Sequence, residues 1–180
     1  MPTEFQKRKL ALAFYKYDTS KDGFVEASDL ELQGQKVADL LGVKQDDAER
    51  DRIISAYRLV WEAYFKPGDR DGDNKITLEE YIKGIEPYYS NDGKDNSALE
   101  VNKVVFDSID LDGSGQIDSA EYGVFLRSLG ISKEEADFAF QKIDTDGNGY
   151  ISRDEFAKNL ADYFLSDDPQ DPANWFYGSF

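Results

Sequence analysis

Apolar residues recur at three- and four-residue spacing through most of this chain, and the blocks they form are separated by short acidic stretches. Leu10, Leu12, Phe14 and Tyr17 make one block; Leu30, Val37, Leu40 and Leu41 make the next apolar face. A longer run, Ile53, Ile54, Tyr57, Val60, Trp61, Tyr64 and Phe65, predicts an amphipathic helix from about Asp46 to Lys66. Proline does not continue a helix, so Pro67-Gly68 is expected to end this one early and disturb the approach to the acidic stretch behind it. Ser132 with Glu135 predicts a capping box for a later helix, and Gly130 ends the helix before it. The polar run Ser90 to Ser97, after Pro87, is the linker candidate and divides the chain into residues 1–90 and 91–180.

The acidic stretches share one pattern. Each opens with Asp four positions after a Phe and runs for twelve residues: Asp18 to Asp29, Asp69 to Glu80, Asp110 to Glu121 and Asp144 to Glu155, behind Phe14, Phe65, Phe106 and Phe140. Positions 1, 3 and 5 hold Asp18, Ser20, Asp22; Asp69, Asp71, Asp73; Asp110, Asp112, Ser114; and Asp144, Asp146, Asn148, all oxygen donors. Position 6 has to turn the chain through a positive φ and holds Gly23, Asn74, Gly115 and Gly149. Position 7 offers only its carbonyl, so Phe24, Lys75, Gln116 and Tyr150 are free to differ. Position 8 is β-branched and apolar, as Val25, Ile76, Ile117 and Ile151, suited to a short strand beside a partner loop. Position 9, which often acts through water, is Glu26, Thr77, Asp118 and Ser152. Position 12 closes with Glu80, Glu121 and Glu155, but with Asp29 in the first stretch.

A hard cation needs six to eight oxygens around it from a chain that turns sharply midway, and this spacing supplies them: it is the EF-hand calcium loop, four times over. The fold expected is all-α and compact, with four EF-hands in two pairs and short antiparallel β-ladders between paired loops. The third and fourth loops, with full ligand sets and Ile117 beside Ile151, should be the most dependable pair. The first should be the least calcium-selective, because Asp29 is a methylene shorter than Glu and leaves a smaller or more hydrated sphere suited to magnesium.

Composition narrows the function. The formal charge of −16 opposes binding to nucleic acid or an anionic membrane surface, and four divalent ions would halve it. With no Cys there is neither a disulfide nor a thiolate site, and with no His the usual zinc ligand and general base are missing, so no enzyme is expected. The N-terminus carries no basic and apolar signal pattern, Pro2 rules out N-myristoylation, and no run is long and apolar enough to span a membrane. A cytoplasmic monomer binding calcium ions is the expectation, and a protein partner is left open.

In its four loops, lengthened first pair and aromatic C-terminus, the whole chain resembles the sarcoplasmic calcium-binding proteins and their bacterial counterpart, calerythrin. The first two loops start 51 residues apart and the last two 34. The resemblance implies both pairs packed around one interior, and a calcium buffer. It departs in one respect: the second loop, often degenerate in that family, keeps Asp69, Asp71, Asp73 and Glu80, which suggests four sites. Coelenterazine-binding proteins and calcium-triggered photoproteins share the architecture; the photoproteins depend on cavity histidines, absent here. An apolar-ligand carrier needs only an apolar pocket, which eleven Tyr, twelve Phe and two Trp could line. A sensor opens a Met-rich groove, yet the one Met is Met1, which favours a buffer over a sensor with a protein partner.

The tail from Asp171 to Phe180 places four aromatics in its last six residues. Left in water it would be an aggregation hazard, so Trp175, Phe176 and Phe180 are expected to pack across the two halves.

Overall fold

The computed structural model describes residues 2–90 and 96–179. Most of the linker candidate and Phe180 lie outside the described residues. Eight α-helices carry the described fold: α1 (Glu4–Tyr17), α2 (Ala27–Leu40), α3 (Ala48–Val60), α4 (Leu78–Ser90), α5 (Asn96–Ile109), α6 (Ser119–Ser128), α7 (Lys133–Ile143) and α8 (Arg153–Leu165). The strands β1 (Gln116–Asp118) and β2 (Tyr150–Ser152) run antiparallel with Ile117 opposite Ile151. In the first pair Val25 and Ile76 exchange both backbone hydrogen bonds, at 3.0 and 2.9 Å, but form an isolated bridge instead of the expected ladder.

The approach to the second loop corrects the reading of Pro67-Gly68. Beyond α3 the chain widens into a π-helical segment, Trp61–Phe65, and tightens into a 3₁₀ turn, Lys66–Gly68, that runs up to Asp69. Pro67 sits in the first turn, where no N–H is called for, and the Asp69 N–H closes the turn on the Lys66 carbonyl at 3.1 Å. Phe65 is therefore buried like Phe14, Phe106 and Phe140. Two other expectations change. Leu41 is exposed, and α2 faces inward through Gln33, Gly34, Val37 and Ala38. A Cβ on Gly34 would lie 3.0 Å from the Ile54 Cα, so glycine is what permits the close crossing with α3. Ser132 caps α7 by accepting the Glu135 N–H, but the Glu135 carboxylate does not return to it; Glu135 Oε1 accepts the Ser179 N–H and Oγ–H, both at 2.6 Å.

One contiguous hydrophobic cluster takes in residues from all eight helices and the tail. Phe176 and Tyr177 are fully buried: Phe176 packs on Tyr122, Phe156 and Tyr163, and Tyr177 on Tyr17, Phe125 and Tyr163. The expected plug is present, though Tyr177 makes the contact with the first half, while Trp175 lies against Phe138 on α7. At the far end α1 holds the tail. Lys9, with no exposed surface, donates to the Ser166 carbonyl at 2.8 Å and to Asn174 Oδ1 at 2.9 Å; Gln6 Nε2 donates to the Leu165 carbonyl at 2.6 Å. Burial pushes the Lys9 amine down to about 8, with Asp171, Asp167 and Asp162 pulling the other way.

The interior is rich in tyrosine. Burial raises Tyr17 to about 12 and also raises Tyr57, Tyr81, Tyr122 and Tyr177. An unfolded tyrosine titrates near about 10, so the folded protein holds these protons longer; their stabilisation is complete below pH ~10 and is lost as pH climbs through the folded values. Tyrosinate absorbance should show this group silent until a single cooperative unfolding step near pH ~12. A smooth titration of every tyrosine around pH ~10 would show the cluster to be open to water.

Candidate metal centre

The four loops are built alike. In each, the position-1 carboxylate accepts the N–H of position 6: Gly23 to Asp18 Oδ2 at 2.9 Å, Asn74 to Asp69 Oδ2 at 3.0 Å, Gly115 to Asp110 Oδ2 at 2.9 Å, and Gly149 to Asp144 Oδ2 at 2.9 Å. Those four residues all have positive φ, including Asn74 at 63°, a conformation asparagine adopts more readily than most residues. The turn that sequence requires at position 6 is thus made and fastened to the first ligand position.

The carboxylate of position 12 is held from both sides. Glu121 Oε1 accepts the Leu111 and Asp112 N–H groups at 2.8 and 3.2 Å, and its Oε2 accepts that of Asp118 at 2.9 Å. Glu155 is held by Thr145, Asp146 and Ser152, and Glu80 by Arg70 and Thr77. The shorter Asp29 makes the same closure, accepting the Ser20 N–H at 2.8 Å and the Glu26 N–H at 2.9 Å. Positions 9 and 12 are three apart, and in every loop they form the capping box of the exit helix: Glu26 with Asp29, Thr77 with Glu80, Asp118 with Glu121 and Ser152 with Glu155. The helix cap therefore aims the closing carboxylate, and this spacing could have revealed it.

Acidic oxygens converge in three loops. One from each of Asp69, Asp71 and Asp73, of Asp110, Asp112 and Glu121, and of Asp144, Asp146 and Glu155 lie within 4.8 Å of one another. Glu80 stays outside its loop's group, and no such group forms at Asp18, Asp22 and Asp29 among the described residues. Like charges this close oppose one another, and a divalent cation with oxygen preference removes that opposition. Ser20, Ser114 and Asn148 add neutral oxygens at positions 3 or 5, and the carbonyls of Phe24, Lys75, Gln116 and Tyr150 stand at position 7. The donor set, oxygen alone, fits calcium or magnesium and not a thiolate- or imidazole-seeking metal.

Local electrostatics differ among the closing residues. Burial raises Glu121 despite the N–H groups of Asp118, Asp112 and Leu111, whereas the Thr77 N–H lowers Glu80. Burial also pushes Glu155 up, but hydrogen bonds from Ser152, Thr145 and Asp146 leave it lowered. Sequence reasoning missed three basic side chains at the loops. Lys75 pairs with Glu26, Arg153 Nη2 lies 2.7 Å from Asp107 Oδ1 and 3.8 Å from Asp110 Oδ2, and Arg52 Nη2 donates to the Leu111 carbonyl at 2.8 Å.

Paired helix–loop–helix units with these oxygen rings define a calcium-binding helical protein. The chain belongs to the EF-hand family: residues 7–86 and 99–160 match the EF-hand domain pair. It is 28% identical over 143 residues to calerythrin of Saccharopolyspora erythraea, covering 78% of this chain and 81% of calerythrin. It is likewise 28% identical over 178 residues to the luciferin-binding protein of Renilla reniformis, covering 97% and 94%. The calcium-loaded apo form of the coelenterazine-binding protein from Renilla muelleri superposes with a TM-score of 0.80 at 24% identity, over 99% of this chain and all of that one, a likeness of fold. Among the described residues no helix is long and apolar enough to cross a membrane.

Proposed function

We propose that this protein is an intracellular calcium buffer without enzymatic activity, acting as a monomer. Its two EF-hand pairs, residues 1–90 and 91–180, take up four ions through the oxygens at positions 1, 3, 5, 7 and 12 of each loop. The observation that carries the reading is the buried tail: Phe176 packs inside the second half and Tyr177 reaches from it to Tyr17 of the first, where a sensor would open a groove for a target. The negative charge left after loading keeps the surface from docking acidic partners.

A second reading, an apolar-ligand carrier, is supported by the near full-length similarity to a luciferin-binding protein and by Gln33 Oε1, which is buried without a hydrogen-bond partner while Gln33 Nε2 donates to Ser128 Oγ at 3.1 Å. Such an acceptor suits the polar end of a bound aromatic molecule.

Calorimetric titration with calcium, repeated in millimolar-scale magnesium and alongside a hydrophobic dye, tests the buffer. Four ions should bind, the first loop should lose most to magnesium, and dye fluorescence should not rise on loading. A large rise would establish an opening sensor. Added coelenterazine should leave the fluorescence of the two tryptophans, Trp61 and Trp175, unchanged; quenching at one-to-one stoichiometry would replace the buffer with the carrier.

A further inference from the structure

In both pairs a basic side chain of the later loop reaches an acidic side chain of the earlier one. Lys75 stands at position 7 of the second loop, yet its ammonium pairs with Glu26, at position 9 of the first, and lies 4.9 Å from the centre of the Phe24 ring. Arg153 stands at position 10 of the fourth loop. Its guanidinium packs 4.2 Å from the centre of the Phe106 ring, bonds to Asp107, and lies 3.8 Å from Asp110 Oδ2, at position 1 of the third. An aromatic ring and a carboxylate hold each cation in place, and Asp110 itself is buried. Among the described residues no ion pair runs from an earlier loop to the acids of a later one.

We propose that Lys75 and Arg153 are fixed charges that set the order of filling, weakening the first loop relative to the second and the third relative to the fourth. This rests on the reading that the loops take up divalent cations. A resident positive charge already neutralises part of the loop's negative charge, so an arriving ion gains less there and is repelled by the charge that stays. Because each basic residue belongs to the partner loop, it cannot diffuse away as a salt ion does. The device acts on affinity, with no change of the oxygen ligands.

The test is a site-resolved calcium titration of the full chain, following the amide resonances of Gly23, Asn74, Gly115 and Gly149, each of which donates to the position-1 carboxylate of its own loop. In Lys75→Met the Gly23 midpoint should move to about three- to tenfold lower calcium, the scale of a charge–charge interaction in a water-like medium, while Gly149 stays where it was. Arg153→Met should do the same to Gly115. Lys75→Arg and Arg153→Lys should keep the wild-type midpoints, and 0.5 M-scale salt should shrink the difference between charged and neutral variants. The proposal is overturned if neutral variants leave Gly23 and Gly115 unmoved, or if the charge-conserving variants behave like the neutral ones. A wild-type protein in which no amide responds to calcium would overturn the loop reading, and this proposal with it.

Discussion

Truncation after Ser166 should lower the melting temperature of the calcium-loaded protein by about 10 °C or more, and hydrophobic-dye binding should rise with it. The cut removes the two fully buried rings of Phe176 and Tyr177. Each contributes about 1.5–3 kcal/mol by the apolar area it buries, less the entropy of ordering the tail. It also takes Asn174 Oδ1 from Lys9, which keeps the Ser166 carbonyl, and takes from Tyr122 the Phe176 carbonyl that now accepts its buried hydroxyl at 2.7 Å. Phe176→Ala should reproduce a large part of the loss, about 3–5 kcal/mol, without touching the chain's length. A melting temperature within about 2 °C of the parent, with no added dye binding, would mean that the tail does not close the interior.

The second large effect is expected at Glu121→Gln. Its carboxylate accepts three N–H groups, from Leu111, Asp112 and Asp118, and is one of three acids whose oxygens converge in the third loop. Glutamine keeps the shape but presents one neutral oxygen where two charged ones stood, so affinity at the third site should drop by about a hundredfold or more. The fourth site should weaken as well, about fivefold or more, because Gln116, Ile117 and Asp118 pair with Ser152, Ile151 and Tyr150 and a disordered third loop takes its partner's strand with it. Calorimetry on the variant resolves the two. An unchanged fourth site would refute the coupling.

Much of this architecture was legible from spacing. The four loops, their position-6 turns, the buried Phe ahead of each and the Ile117–Ile151 pairing all follow from residue types at fixed intervals, because metal geometry and helix pitch leave little freedom. What escaped was set by tertiary neighbours. Pro67 looked like a stop because a regular α-helix was assumed, and a π segment followed by a 3₁₀ turn accommodates it. Leu41 belonged to the apolar face by type, yet Gly34 decides how closely α2 meets α3, and Gln33 turns α2 toward Ser128 of α6. Glu135 matched a cap by its spacing, but its carboxylate serves the tail forty-four residues away. Lys75 and Arg153 gave no signal because position 7 and position 10 place no demand on the side chain, and only the antiparallel arrangement brings them over the neighbouring loop.

The clasp between α1 and the tail has a consequence for biosynthesis. Lys9 finds Ser166 and Asn174 only after more than 150 further residues have been made. At roughly 5–20 residues per second that is a wait on the order of ten seconds, during which the inner face of α1 has no tail to cover it. Nascent first-half chains are therefore the stage at which a chaperone or a neighbouring polysome has most to bind. A circular permutant that joins the present ends and opens the chain elsewhere would make this contact local in sequence and shorten that exposure.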